Sequence, residues 1–166
     1  MRLCCSLVIS LVLAACAPSP TPPDPPAAPV SDALVIGETF TLDSRVLGET
    51  RRINVFVPTI YGATIDAPLP VLYMPDGGMG EDFLHVVGLV QVSVSNGTMR
   101  PFMVVGIENT QRRRDMTGPT TNPKDREIAP VVGGSAEFRR FLAEELVPAV
   151  QARYRTTDEA AIVGES

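Results

Sequence analysis

With 166 residues, 45% of them hydrophobic and 20% charged, the chain has room for one globular domain and is too polar for a polytopic membrane protein. A net charge of −5, one short arginine run and 5% aromatic content without tryptophan argue against nucleic acid as a partner and against an aromatic stacking platform.

Met1 and Arg2 give a short basic start, Leu3 to Leu13 is an apolar run of secretory length, and Leu13-Ala14-Ala15-Cys16 ends it on small residues before a cysteine. The pattern resembles a bacterial lipobox. On that resemblance residues 1–15 are a lipoprotein signal peptide and Cys16 becomes the first mature residue, lipidated and anchored in the membrane. The alternative is an ordinary secretory peptide with a chance cysteine. Cys4 and Cys5 leave with the signal, so no cysteine remains for a disulfide, a metal site or a thiol nucleophile. From Ala17 to Pro29 seven prolines remove backbone donors and fix φ, which makes residues 16–30 a lipidated cysteine followed by a stiff tether. Ala17 after Cys16, rather than Asp, resembles the sorting signal for the outer membrane, facing the periplasm; secretion is the alternative.

The globular part, residues 31–166, reads as alternating strand and helix. Glu38 to Leu42, Arg45 to Leu47 and Arg52 to Val57 are short β-prone runs, with a turn at Gly48-Glu49, and they imply an antiparallel start. Leu69 to Met74 and Phe102 to Ile107 are compact apolar runs suited to buried strands. Between them Glu81 to Val94 carries Phe83, Val86, Val87, Val90 and Val94 at helical spacing. A second helix, N-capped by Ser135 and running to about Tyr154, puts Phe138, Phe141, Leu142, Leu146 and Val150 on one stripe. Pro148 should kink it or start a new turn, since proline cannot donate to the helical ladder. Ala160 to Val163 reads as a last buried strand, and the alternation implies parallel pairing with right-handed crossovers.

In an open sheet of this kind ligands sit beyond the carboxyl ends of the strands. Asp76-Gly77-Gly78-Met79, the segment Glu108 to Pro130, and Gly164-Glu165-Ser166 all fall there. The last is the first half of a G-x-S-x-G elbow, in which small residues allow a strained strand-to-helix turn that lifts the serine Oγ above the sheet.

Five blocks in order carry a family resemblance: Pro70 to Gly78; Val104 to Thr110 with Arg114 to Thr117; Phe141 to Pro148; Tyr154 to Thr157; and Ile162 to Ser166. From about Gly37 onward the chain resembles the putative-esterase family of α/β-hydrolases, a group with siderophore esterases, S-formylglutathione hydrolase, feruloyl esterases and mycolyltransferases. The resemblance implies an α/β fold, specifically the amino-terminal half of an α/β-hydrolase with a mostly parallel sheet and an antiparallel start, cut at the nucleophile elbow. It also implies hydrolysis of a small-molecule carboxylic ester by a Ser, His and Asp triad with no cofactor and no metal. Ser166 would be the nucleophile, and the backbone N–H of Gly78, or that of Met79 beside it, an oxyanion donor. In the family's chain order the acid and the histidine follow the serine, so both lie beyond Ser166.

Other polar residues have plainer readings. His85, the single histidine, falls within the first predicted helix and suits a surface or capping role rather than catalysis. Asp76 shapes the turn that presents Gly78, and Asp115 orders the loop after Ile107. Of Arg112, Arg113 and Arg114, a solvated loop is the plain reading; the sharper one has an arginine, Arg114 first, contacting an anionic or catecholate substrate. Glu165 stands where the family often has histidine. Without its second half the sheet would leave the last strand with a bare edge, so the 166-residue chain is expected to be poorly stable and inactive. The reading from a different class is a periplasmic lipoprotein that binds a ligand or partner on a degenerate hydrolase half without chemistry.

Overall fold

The computed structural model describes residues 31–164, so Cys16, the tether, Glu165 and Ser166 lie outside the described residues. A compact unit begins at Val35. Its centre is a five-stranded sheet in the order β1-β2-β6-β5-β7, formed by β1 (Glu38–Ser44), β2 (Glu49–Phe56), β5 (Leu69–Pro75), β6 (Met103–Ile107) and β7 (Thr156–Ile162). A two-stranded ribbon of β3 (Thr59–Ile60) and β4 (Ala63–Thr64) stands apart from it. The order follows from the connections. A tight turn lets β2 fold back on β1, whereas α1 (Phe83–Ser95) carries the chain from β5 over to β6 and sets those two strands parallel.

Two expectations about the sheet are corrected. Of its four pairings, β1–β2 and β2–β6 are antiparallel while β5–β6 and β5–β7 are parallel, so the sheet is evenly mixed rather than mostly parallel. The segment Arg45 to Leu47 is no strand but a turn closed by Gly48, whose φ of +68° a residue with Cβ would resist. Glu145, far along the chain, holds that turn. Its carboxylate accepts from Ser44 Oγ at 2.5 Å and from the Arg45 and Val46 amides at 2.9 and 3.2 Å.

The sheet buries side chains on both faces. On one, Ile53, Val55, Val71, Tyr73, Val105 and Ile107 meet a long helical segment; on the other, Phe56, Met74 and Val104 meet Phe83, Val87, Val90 and Val94 of α1. Strands β5 and β6 are covered on both sides, which is why they are apolar throughout. The long segment comprises α4 (Ser135–Phe141), a π-turn (Leu142–Leu146) and α5 (Val147–Arg153). Phe138, Phe141, Leu146 and Val150 are buried as the periodicity requires, and Leu142 packs half-buried beside them. The N-cap is Gly134, not Ser135, and the irregularity expected from Pro148 takes the form of the π-turn immediately before it. Gly134 donates to the Arg114 carbonyl at 2.7 Å, which ties the start of α4 to the preceding loop.

That loop also departs from expectation, because the stretch Glu108 to Pro130 contains two short helices, α2 (Arg112–Met116) and α3 (Pro123–Ile128). The terminal apolar run is a strand, but an exposed one: among the described residues β7 pairs with β5 alone, and Ile162 and Val163 are 57% and 45% exposed. Among the described residues no helix is long and apolar enough to cross a membrane.

Candidate active site

The tips of β5, β6 and β7 meet at one end of the sheet. Register places Tyr73 beside Val105 on one side and Ile162 on the other, and the Val163 amide donates to the Tyr73 carbonyl at 3.0 Å. The chain therefore leaves β7 next to the turn that leaves β5. Val163 and Gly164 share a cleft of about 210 Å³ with Met74, Pro75, Asp82, His85, Val86 and Leu89. The single histidine, read from sequence as a surface or capping residue, is exposed on α1 and lines the same cleft as Gly164. Its place on α1, one turn beyond Asp82, accounts for this, and no motif in the sequence announced it.

The turn after β5 is built from close contacts. Asp76 has φ of +59°, a left-handed conformation that aspartate tolerates better than most residues. Gly77 then packs against β6 so tightly that a Cβ on it would lie 2.2 Å from Gly106 Cα. Its N–H donates to the Ile107 carbonyl at 3.0 Å and its carbonyl accepts from buried Asn54 Nδ2 at 2.8 Å, so the turn is welded to β6 and β2.

Asp76, as expected, organises this corner. Its carboxylate accepts from Asn109 Nδ2 at 2.5 Å and from Arg112 Nε and Nη2 at 2.6 and 3.1 Å. Burial pushes its pKa up, but the bonds from Arg112 and Asn109 outweigh burial and hold it below the usual carboxylate value. Asn109 Nδ2 also donates to Glu81 Oε1 at 2.8 Å, so one amide bridges two carboxylates.

Gly78 is buried and Met79 exposed. The Gly78 N–H donates to Glu81 Oε2 at 2.7 Å, an engagement that sequence reasoning missed because it placed Glu81 inside the helix. The helix in fact begins at Phe83, and Glu81 turns back three residues, a reach that its spacing from Gly78 would have allowed.

The three consecutive arginines go three ways. Arg112 pairs with Asp76; Arg113 is exposed; Arg114 turns inward, its Nη2 on Glu49 Oε1 and its Nε on Asp115 Oδ1, both at 2.7 Å. Arg51, wholly buried, completes this network with Asp115 at 2.7 Å and Glu49 at 2.8 Å, and lies 5.5 Å and 5.8 Å from the ring centres of Phe138 and Phe141. The bond from Arg114, ahead of burial, Thr110 and Arg51, sets the Glu49 pKa, which falls to about 2. The arginine first chosen as a substrate contact is therefore committed to the scaffold. A cleft of about 440 Å³ along Gln111 to Arg114 leaves Arg113 as the member of the run turned to solvent.

A glycine turn and a second strand exit meet at the carboxyl end of this α/β sheet, the position where open sheets of this kind bind ligands. Comparison makes this specific: residues 44–166 match the family model described as Putative esterase, and the chain belongs to that family. It is 24% identical over 116 residues to the iron(III) salmochelin esterase of Escherichia coli, covering 70% of this chain and 24% of that protein. An IroE-like serine hydrolase of Shewanella oneidensis shares 33% identity with a TM-score of 0.62, over 78% of this chain and 42% of that one. The siderophore hydrolase EstA of Aspergillus nidulans, at 22% identity, has the same fold with a TM-score of 0.64 over 89% and 52%. The chain spans about a quarter of the curated relative's length and under half of the Shewanella protein's.

Proposed function

We propose that this chain supplies the nucleophile-bearing part of a serine hydrolase acting on carboxylic esters. One observation carries the reading: the exit of β7 through Val163 and Gly164 runs beside β5, whose own exit is the Asp76-Gly77-Gly78 turn. Family membership supports the same chemistry. Under this reading the Ser166 Oγ attacks the ester carbonyl as a histidine takes its proton. The oxyanion that forms is met by the N–H of Gly78, with Met79 as the neighbouring donor. The acid and the histidine come, by the family's chain order, from positions after the serine.

Siderophore-type esters are the proposed substrate class, because proteins similar to this chain bear the names salmochelin esterase and siderophore hydrolase. Arg113, exposed at the arginine-lined cleft, replaces Arg114 as the cation offered to an anionic or catecholate substrate. The amino-terminal proposal is a lipid anchor at Cys16 that holds the domain at the outer membrane through the proline tether. Radiolabelled palmitate should enter the wild-type protein and not Cys16→Ser; equal labelling of both would remove the anchor.

Turnover tests the enzymatic reading. The full-length protein should hydrolyse p-nitrophenyl butyrate and a catecholate ester, and Ser166→Ala should lower kcat by about 10⁴-fold or more. Undiminished turnover by that variant would end the reading. Residues 1–166 alone, with His85 as their one histidine, should give no turnover.

A further inference from the structure

We infer that Glu81 is a built-in ligand of the oxyanion site, a carboxylate that occupies the Gly78 N–H at rest and must be displaced before an ester can react. The inference rests on the esterase reading above and concerns the same donor. Glu81 Oε2 lies 2.7 Å from the Gly78 nitrogen and 3.4 Å from the Asn109 backbone nitrogen, both as acceptor. The Gly78 N–H, the donor assigned to the oxyanion above, is thus engaged by an anionic oxygen, the kind of acceptor a reacting ester would present there. The carboxylate packs close against the glycine: a Cβ on Gly78 would stand 2.8 Å from Glu81 Oε2 and 2.9 Å from Glu108 Cγ. A substrate oxygen reaching the Gly78 N–H enters the volume that Glu81 Oε2 now fills.

The geometry also allows displacement. Glu81 is solvent-exposed, and the hydrogen bonds that hold it come from Gly78 and Asn109. Asn109 keeps its bond to Asp76 when Glu81 leaves, and Asp76 is pinned by Arg112, so both backbone donors stay in place. Gly77 keeps its own bond to the Ile107 carbonyl. The corner is a fixed Gly78 donor with a movable acceptor, and that acceptor competes with the reacting oxygen.

The test uses full-length wild type, Glu81→Ala and Glu81→Gln with a fluorophosphonate, in which the serine Oγ–P bond forms, the P–F bond breaks and fluoride leaves. Donors at the oxyanion position speed this step. We expect Glu81→Ala to be phosphonylated at Ser166 at least five-fold faster than wild type, with Glu81→Gln between them. Amide exchange should be at least ten-fold faster at Gly78 in Glu81→Ala and unchanged at Gly77, which reports that the corner is intact. Labelling no faster than wild type in both variants, or unchanged Gly78 exchange, overturns the inference. Should Glu81→Ala lose protection at Gly77 as well, Glu81→Gln decides: faster labelling supports the inference and slower labelling overturns it. Should wild type not be phosphonylated at Ser166, the esterase reading fails, and Gly78 exchange alone decides whether Glu81 holds that amide.

Discussion

Arg51 is the residue whose burial most needs explaining. A guanidinium with no solvent exposure would be very costly alone; here Asp115, itself buried, lies at 2.7 Å, Glu49 at 2.8 Å, and the Glu108 carbonyl accepts from Nη2 at 2.9 Å. Its Nε has no hydrogen-bond partner among the described residues, so the compensation is incomplete and depends on the two carboxylates. Removing one of them strands a charge in the core. Asp115→Ala should destabilise the protein by about 3–5 kcal/mol. A substantially lowered thermal midpoint by circular dichroism is the expected result, and a wild-type midpoint would show that the pair contributes little. The network holds α2 against the sheet, so the same loss should loosen the arginine run at the site.

Between elements, the decisive contact has no side chain in it. Gly77 and Gly106 bring the β5 exit and the β6 backbone together, and any Cβ at Gly77 collides with main chain that cannot rotate away. Gly77→Ala should therefore unfold the corner or strongly lower stability. Gly48→Ala, with open space around it and only an unfavourable φ to bear, should cost about 1–2 kcal/mol. Comparable urea midpoints for the two variants would contradict this account. Local pattern made β5, β6, α1 and the long helical segment legible, because burial on one or both faces imposes a period on the sequence. It failed where partners are remote. Val46 and Leu47 are β-prone, yet Glu145 holds the Val46 amide and Ser44 Oγ the Leu47 amide in a turn, and α2 lies in an arginine run with no apolar period and is held through Asp115. Of the site, the glycine turn and the organising Asp76 could be read from residue type. The inward swing of Arg114 and the return of Glu81 to Gly78 could not, since both depend on which acceptors the fold brings within reach.

At the scale of the molecule, the sheet ends on two edge strands, neither with a second strand partner among the described residues. The antiparallel half ends on β1, a strand held to its neighbour along seven residue pairs. The parallel half ends on β7, whose outer edge has no strand partner among the described residues and whose Ile162 is 57% exposed. Such an edge templates pairing with another chain. The polypeptide 31–166 should associate with rising concentration in size exclusion with light scattering, and Ile162→Lys should shift it toward monomer. A monodisperse monomer at all concentrations would refute this.

The Glu145 clasp on the first turn sets a timetable for synthesis. The carboxylate that receives Ser44, Arg45 and Val46 is encoded 99 to 101 residues later. At ribosomal speed that is a delay of about 5–20 s. The first hairpin must wait through that interval with water as the acceptor for those amides, and a chaperone that recognises unfinished β-structure has its opening then.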